Sequence, residues 1–167
     1  YNDANMIAGI GIGTLYINAT GYILGAGLIG GLDTLCSHAF GNKKYDMVGV
    51  YTNVTRVVII GFFITMSIPF ALFSKTVLLM IGQEEIVADY ASNFCHSMLF
   101  SLFFALQYNI TLRYLQSMNI FRPGMFITLF TVSLHPLWCY LFIYKYDLNV
   151  VGAGIAMSLT QLLNLII

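Results

Sequence analysis

Five windows without a single charged residue dominate this sequence: Ala4–Leu32, Val57–Ser74, Tyr90–Leu112, Pro123–Tyr144 and Leu148–Ile167. The shortest holds 18 residues and the longest 29. About 20 apolar residues suffice to carry a helix across the hydrocarbon core of a bilayer. Hydrocarbon offers backbone N–H and C=O groups no partner, so each such window is expected to be helical. Five helices are predicted within 167 residues, at about 4-34, 47-81, 86-117, 123-145 and 150-167. A soluble alternative runs out of surface. Only 8% of the residues are charged and 59% are apolar, against about 25% charged in an average globular chain. The predicted class is an all-α integral membrane protein.

The few charges sit between the windows. The first linker carries Lys43, Lys44 and Asp46, and the second Lys75, Glu84, Glu85 and Asp89. Arg113 and Arg122 flank the third, Lys145 and Asp147 the fourth. Linkers one and three together hold four basic residues against two for the others. The bias of Lys and Arg toward the cytosolic side then places linkers one and three in the cytosol. Pro69 and Pro136 fall inside spans and are expected to disturb them. Trp138, Tyr140, Tyr144 and Tyr146 gather at the outer end of the fourth span, as an interfacial aromatic belt does. The formal charge is zero, which leaves no basic patch for nucleic acid. No charged leader or cleavage site marks a signal peptide, and the chain is expected to be an internal piece of a longer protein.

Several local patterns suggest chemistry. Gly25–Gly30 reads GAGLIG and fits the dinucleotide fingerprint, but that motif requires a preceding strand. The pairs Gly9/Gly13, Gly21/Gly25 and Gly27/Gly31 have the small-xxx-small spacing that lets membrane helices approach closely. Asp33, Cys36 and His38 have zinc-ligand chemistry, yet a zinc site needs three or four protein ligands and no second cluster follows at metal spacing. An end-of-helix role is expected for them, and no metal. No Gly-x-Ser-x-Gly, HExxH or paired-carboxylate motif occurs, so no enzyme is expected. In an antiparallel hairpin centred on residues 44–45, Asp33 and Arg56 reach the same depth, and they are expected to pair. Gly41 is expected to end the first helix.

Polar groups within spans are costly and tend to mark pathways. Asn93, Ser97 and Ser101 form one stripe on the third span, with Gln107 and Asn109 beyond. His135, beside Pro136, has an unperturbed pKa of about 6.5 and is the mid-span group suited to proton-linked work. A packed, hydrogen-bonded histidine at the proline kink is the favoured reading, and the proton-linked role the alternative. Asn18 either bonds a neighbouring helix or lines a cavity.

The stretch LDTLCSHAFGNKKYDMVGVY, residues 32–51, resembles the helix two to helix three junction of the multidrug and toxic compound extrusion (MATE) family, LDTLCSQAFGA-K-x-x-x-x-G-x-Y. YINATGYILGAGL is similar to the family's N-V-T-G segment. VLLMIGQEEIVADYASNF resembles LLLLGQDPEIAxxAxxY, and LRYLQSMNIFRPGMF resembles R-x-LQAQ-x-x-x-x-P. The final stretch from Leu134 is similar to the eukaryotic, plant-like form of helices five and six. His38 stands where glutamine is usual, and Ser97 where proline is common. Asn53-Val54 replaces the helix-three QR pair.

The resemblance implies that the five predicted helices are family helices two to six, most of the amino-terminal bundle of a twelve-helix transporter. It implies a secondary antiporter that exports organic cations, xenobiotics or metabolites against a proton or sodium gradient, by alternating access. Asn18, His135, Gln161 and Asn164 become the expected cavity-lining residues; Asp33, Gly41 and Arg56 form the cytosolic elbow. The coupling carboxylate is expected beyond Ile167. Expected partners are a small organic cation or xenobiotic, the bilayer and the remaining half of the transporter; no cofactor is expected. The expected location is a plasma or vacuolar-type membrane. The alternatives are a lipid or amphiphile flippase of the same superfamily and a truncated, non-transporting membrane protein.

Overall fold

The structure is a computed structural model that describes residues 4–146 and 148–167. Asp147, assigned above to the fourth linker, lies outside the described residues. The chain is helical almost throughout: α1 (Ala4–Gly41), α2 (Tyr45–Leu72), a short α3 (Ser74–Met80), α4 (Glu85–Ser117), α5 (Arg122–Lys145) and α6 (Asn149–Ile166). At 1.5 Å per residue, α1 is about 57 Å long and α4 about 50 Å, each longer than the roughly 30 Å hydrocarbon core. Both therefore carry their polar ends well outside it.

Two boundaries differ from the sequence-based expectation. α1 does not stop near residue 34 but continues to Gly41, because Asp33 finds a cation and can remain helical. The expected helix 47-81 breaks at Phe73, whose φ of −90° and ψ of 8° leave the helical region. The break follows Pro69, which has no N–H to donate and crowds the preceding turn. Beyond it, α3 turns aside and packs Leu78 into the core while Lys75 meets Asp89 of α4 at 2.5 Å. That carboxylate, and Glu85 beyond it, raise the Lys75 pKa above its ordinary value.

Three wide, π-helical turns interrupt the spans, at Asn18–Tyr22, Phe63–Ser67 and Tyr140–Lys145. The second lies just before Pro69 and the third just after Pro136, so both expected disturbances take this form. The first has no proline near it. Such turns recur at functional positions.

α1, α3 and α4 end alike. Each closes with a left-handed residue, at Lys43 (φ 58°), Gly82 (φ 90°) and Asn119 (φ 61°). Lys44 N donates to Ala39 O, Gln83 N to Leu78 O and Ile120 N to Leu115 O. This double-bonded cap satisfies carbonyls that the helix leaves open. Gly41 is the last helical residue, and the reversal expected there is made by Lys43.

α4 is the axis of the bundle. Its amino-terminal half places Ala88, Ala91, Phe94, Cys95 and Met98 against Tyr16 and Ile17 of α1 and Val150 of α6. Its carboxy-terminal half places Leu102, Leu106 and Ile110 against Ile29, Leu32 and Cys36 of α1 and Val48 and Ile59 of α2. The glycine pairs explain the close α1–α4 approach. A Cβ at Gly13 would stand 3.0 Å from Ala91 O, and one at Gly25 2.5 Å from a Leu106 methyl. Gly27, Gly30 and Gly31 face open space, so the GAGLIG stretch is half packing surface and half exposed, within a continuous helix.

The outside is apolar. Val57, Leu129, Phe130 and Met125 are each more than half exposed. A soluble protein avoids a continuous apolar exterior of this kind, and lipid is the solvent it suits. The chain is a multi-pass membrane protein. Among the described residues four helices are apolar and long enough to cross by that measure alone, α1, α2, α5 and α6. α4, the expected third span, is set apart by its polar residues and lies between the others.

Candidate transport cleft

Asn18 heads the wide turn of α1, where Ile23 N reaches back to its carbonyl. Its exposed side chain enters a cleft of about 440 Å³ between α1 and α4, with Tyr22, Ile29, Leu106, Asn109 and Arg113. A second cleft of about 370 Å³ lies between α4, α5 and α6, and is bordered by Asn109, Thr128, His135, Thr160, Gln161 and Asn164. Asn109 belongs to both. The four residues expected to line a cavity thus border two separate clefts that share one lining residue of the central helix, Asn109.

The polar groups of the second cleft are cross-braced. Thr131 Oγ1 donates to Asn164 Oδ1 at 2.5 Å, and Asn164 Nδ2 donates to Gln161 Oε1 at 3.0 Å. Thr160 Oγ1 donates to Ala156 O and lies 2.9 Å from His135 Nδ1. A hydroxyl has one hydrogen. The arrangement that satisfies both contacts has Nδ1–H donating to Thr160, with Nε2 facing the Cys139 thiol at 3.3 Å. His135 is therefore held on both sides. Asn109 Nδ2 donates to Ala105 O at 2.8 Å, which leaves its carbonyl and its second N–H to meet a ligand.

The elbow between α1 and α2 is wired differently from the expected hairpin. Asp33 Oδ2 pairs with Arg113 Nη1 at 2.9 Å. Arg56 Nη2 donates instead to Thr111 Oγ1 at 3.1 Å. The depth argument held in part, since both partners lie within one turn of α4. The pairing failed because α4 sits where each of the two helices turns its charge. Asp33, Cys36 and His38 diverge: Cys36 is buried and faces Val48 O and Thr52, while His38 lies beside Asn42 on the surface.

Asn109 is one of the polar residues beyond the α4 stripe, and Arg113 is the addition: it belongs to the third linker by charge pattern, yet it is four residues from Asn109 on the same face of a helix that continues to Ser117. That i, i+4 spacing is the signal that finds it.

The MatE family model matches residues 1–141. The chain belongs to the MatE family. Protein DETOXIFICATION 9 of Arabidopsis thaliana is 31% identical over 95% of this chain, and Protein DETOXIFICATION 16 of the same plant is 32% identical over 93%. The crystal structure of the eukaryotic MATE transporter AtDTX14 superposes on 97% of the chain with a TM-score of 0.92 at 26% identity. The chain spans about a third of the length of these relatives, 33% and 32% of the two plant proteins and 36% of the solved chain. The MatE assignment makes the bundle part of a membrane transporter fold, and the Asn109 clefts lie within that bundle.

Proposed function

We propose that this bundle is the amino-terminal part of a secondary antiporter that exports organic cations, xenobiotics or metabolites in exchange for protons or sodium. The supporting observation is that the two clefts gather Asn18, Asn109, His135, Gln161 and Asn164 from four helices in an otherwise apolar bundle. Polar side chains converging inside a membrane bundle mark a solute path. Transporter sites of this kind lie near the midplane and open alternately to each side. The remaining helices and the coupling carboxylate belong to the rest of the transporter, and a plasma or vacuolar-type membrane is the proposed setting.

Vesicles carrying the full-length protein and a fluorescent organic cation test this reading. Transport should follow an imposed proton or sodium gradient and stop when it is collapsed. Movement indifferent to both gradients contradicts antiport. His135→Gln should fold normally; an unchanged pH profile of transport would remove His135 from proton coupling.

A further inference from the structure

We infer that the cleft between α1 and α4 binds amphiphilic organic anions, with Arg113 holding the anionic end. The inference rests on the transporter reading and narrows its substrate class, away from cations for this part of the path.

Among the described residues Arg113 is the only charged one that lines this cleft, and its walls otherwise offer two amides, Asn18 and Asn109, with Tyr22, Ile29 and Leu106 as largely apolar surface. No carboxylate lines the cleft itself, and the Asp33 carboxylate beside it is already paired with Arg113, so a cationic ligand gains no free counter-ion there. A carboxylate, sulfate or phosphate meets a planar guanidinium with five N–H donors, a fork suited to bidentate contact. Asp33 engages Nη1 of that fork at 2.9 Å, so donors remain for a second anion. The Arg113 and Asp33 side chains are 48% and 38% exposed. Pairs in such surroundings are weak, and an incoming anion competes with Asp33 on nearly even terms. The volume, about 440 Å³, is that of a drug-sized ligand. Tyr22 and Leu106 suit a flat or aliphatic body, and the Asn109 carbonyl suits a hydroxyl donor along it.

Binding to the purified full-length transporter, measured by calorimetry, separates this from a purely structural ion pair. The probes are 4-methylumbelliferyl glucuronide, an anion, and its neutral methyl ester. The anion should bind about tenfold more tightly, the scale of one charge-assisted hydrogen bond. Arg113→Gln should abolish that preference, and Asp33→Asn should increase it. A structural pair predicts the same direction for both variants, since each breaks the same contact; that result would overturn the inference. If Arg113→Gln does not fold, Asp33→Asn and Arg113→Lys decide: loss of preference in Asp33→Asn contradicts it, and retention of part of the preference in Arg113→Lys supports it. Equal affinity of the native protein for the two probes also contradicts it. Competition of phosphatidylglycerol, but not phosphatidylcholine, nanodiscs with the glucuronide would assign the cleft to lipid headgroups and overturn the solute reading. The readout is binding, so failure of gradient-driven efflux would refute the antiporter proposal and leave this result interpretable.

Discussion

α4 and α5 are both helices of a membrane bundle, and they are built on opposite plans. α5 turns a broad apolar face outward, where Met125, Phe126, Leu129 and Phe130 all stand more than half exposed, and keeps Thr128, Thr131 and His135 for the side that meets α4 and α6. α4 is the longest uninterrupted α-helix at 33 residues, contributes to both core clusters and carries Asn93, His96, Ser97, Ser101, Gln107 and Asn109. Hydropathy thus reports contact with lipid and not the act of crossing. The central helix has protein on most sides, can carry polar groups, and is the one on which the clefts converge.

The contrast breaks first at the α1–α4 seam. Gly13→Leu should be strongly damaging, since a Cβ there already stands 3.0 Å from Ala91 O and backbone cannot yield. A destabilisation of about 3 kcal/mol, the upper range for overpacking, is expected. Gly27→Leu, facing open space, should leave the melting temperature in detergent nearly unchanged. Similar losses at the two sites would contradict the seam.

Next comes the lipid face. Leu129→Lys on α5 should impair insertion by about 3 kcal/mol, as a charge near a helix centre does. An insertion assay with α5 as the test segment reads this directly, and unimpaired insertion would mean that α5 faces water or protein there. The smallest effect is expected at the braced polar seam. Thr131→Val removes the donor to Asn164 Oδ1, and membrane hydrogen bonds average about 0.6 kcal/mol. Thermal unfolding should fall slightly, with a larger change in ligand affinity if Asn164 then turns into the cleft.

The spans were legible in the sequence because a charge is excluded from hydrocarbon wherever it falls in the chain. For α4 that absence of charge was the informative signal, since its polar residues depress its hydropathy. The family resemblance was legible in the Leu32–Tyr51 junction. What escaped was the partner of each group at the elbow. Depth along a helix follows from counting residues, but the face it presents depends on where α4 packs, and so Asp33 met Arg113 and not Arg56. The wide turn at Asn18 escaped for the same reason: no proline announces it, and its setting is the approach of Gly21 to Leu102. Lys43 in a left-handed conformation was hidden by Gly41, the residue with the more obvious propensity.

The central claim is that Asn109 faces a solute path while α5 faces lipid. Single cysteines at positions 109 and 130, in a full-length protein with its other cysteines replaced, can be probed with a membrane-impermeant thiol reagent. The account predicts that Asn109→Cys labels and is protected by a transported ligand, whereas Phe130→Cys does not label. Labelling at 130 with none at 109 would contradict it.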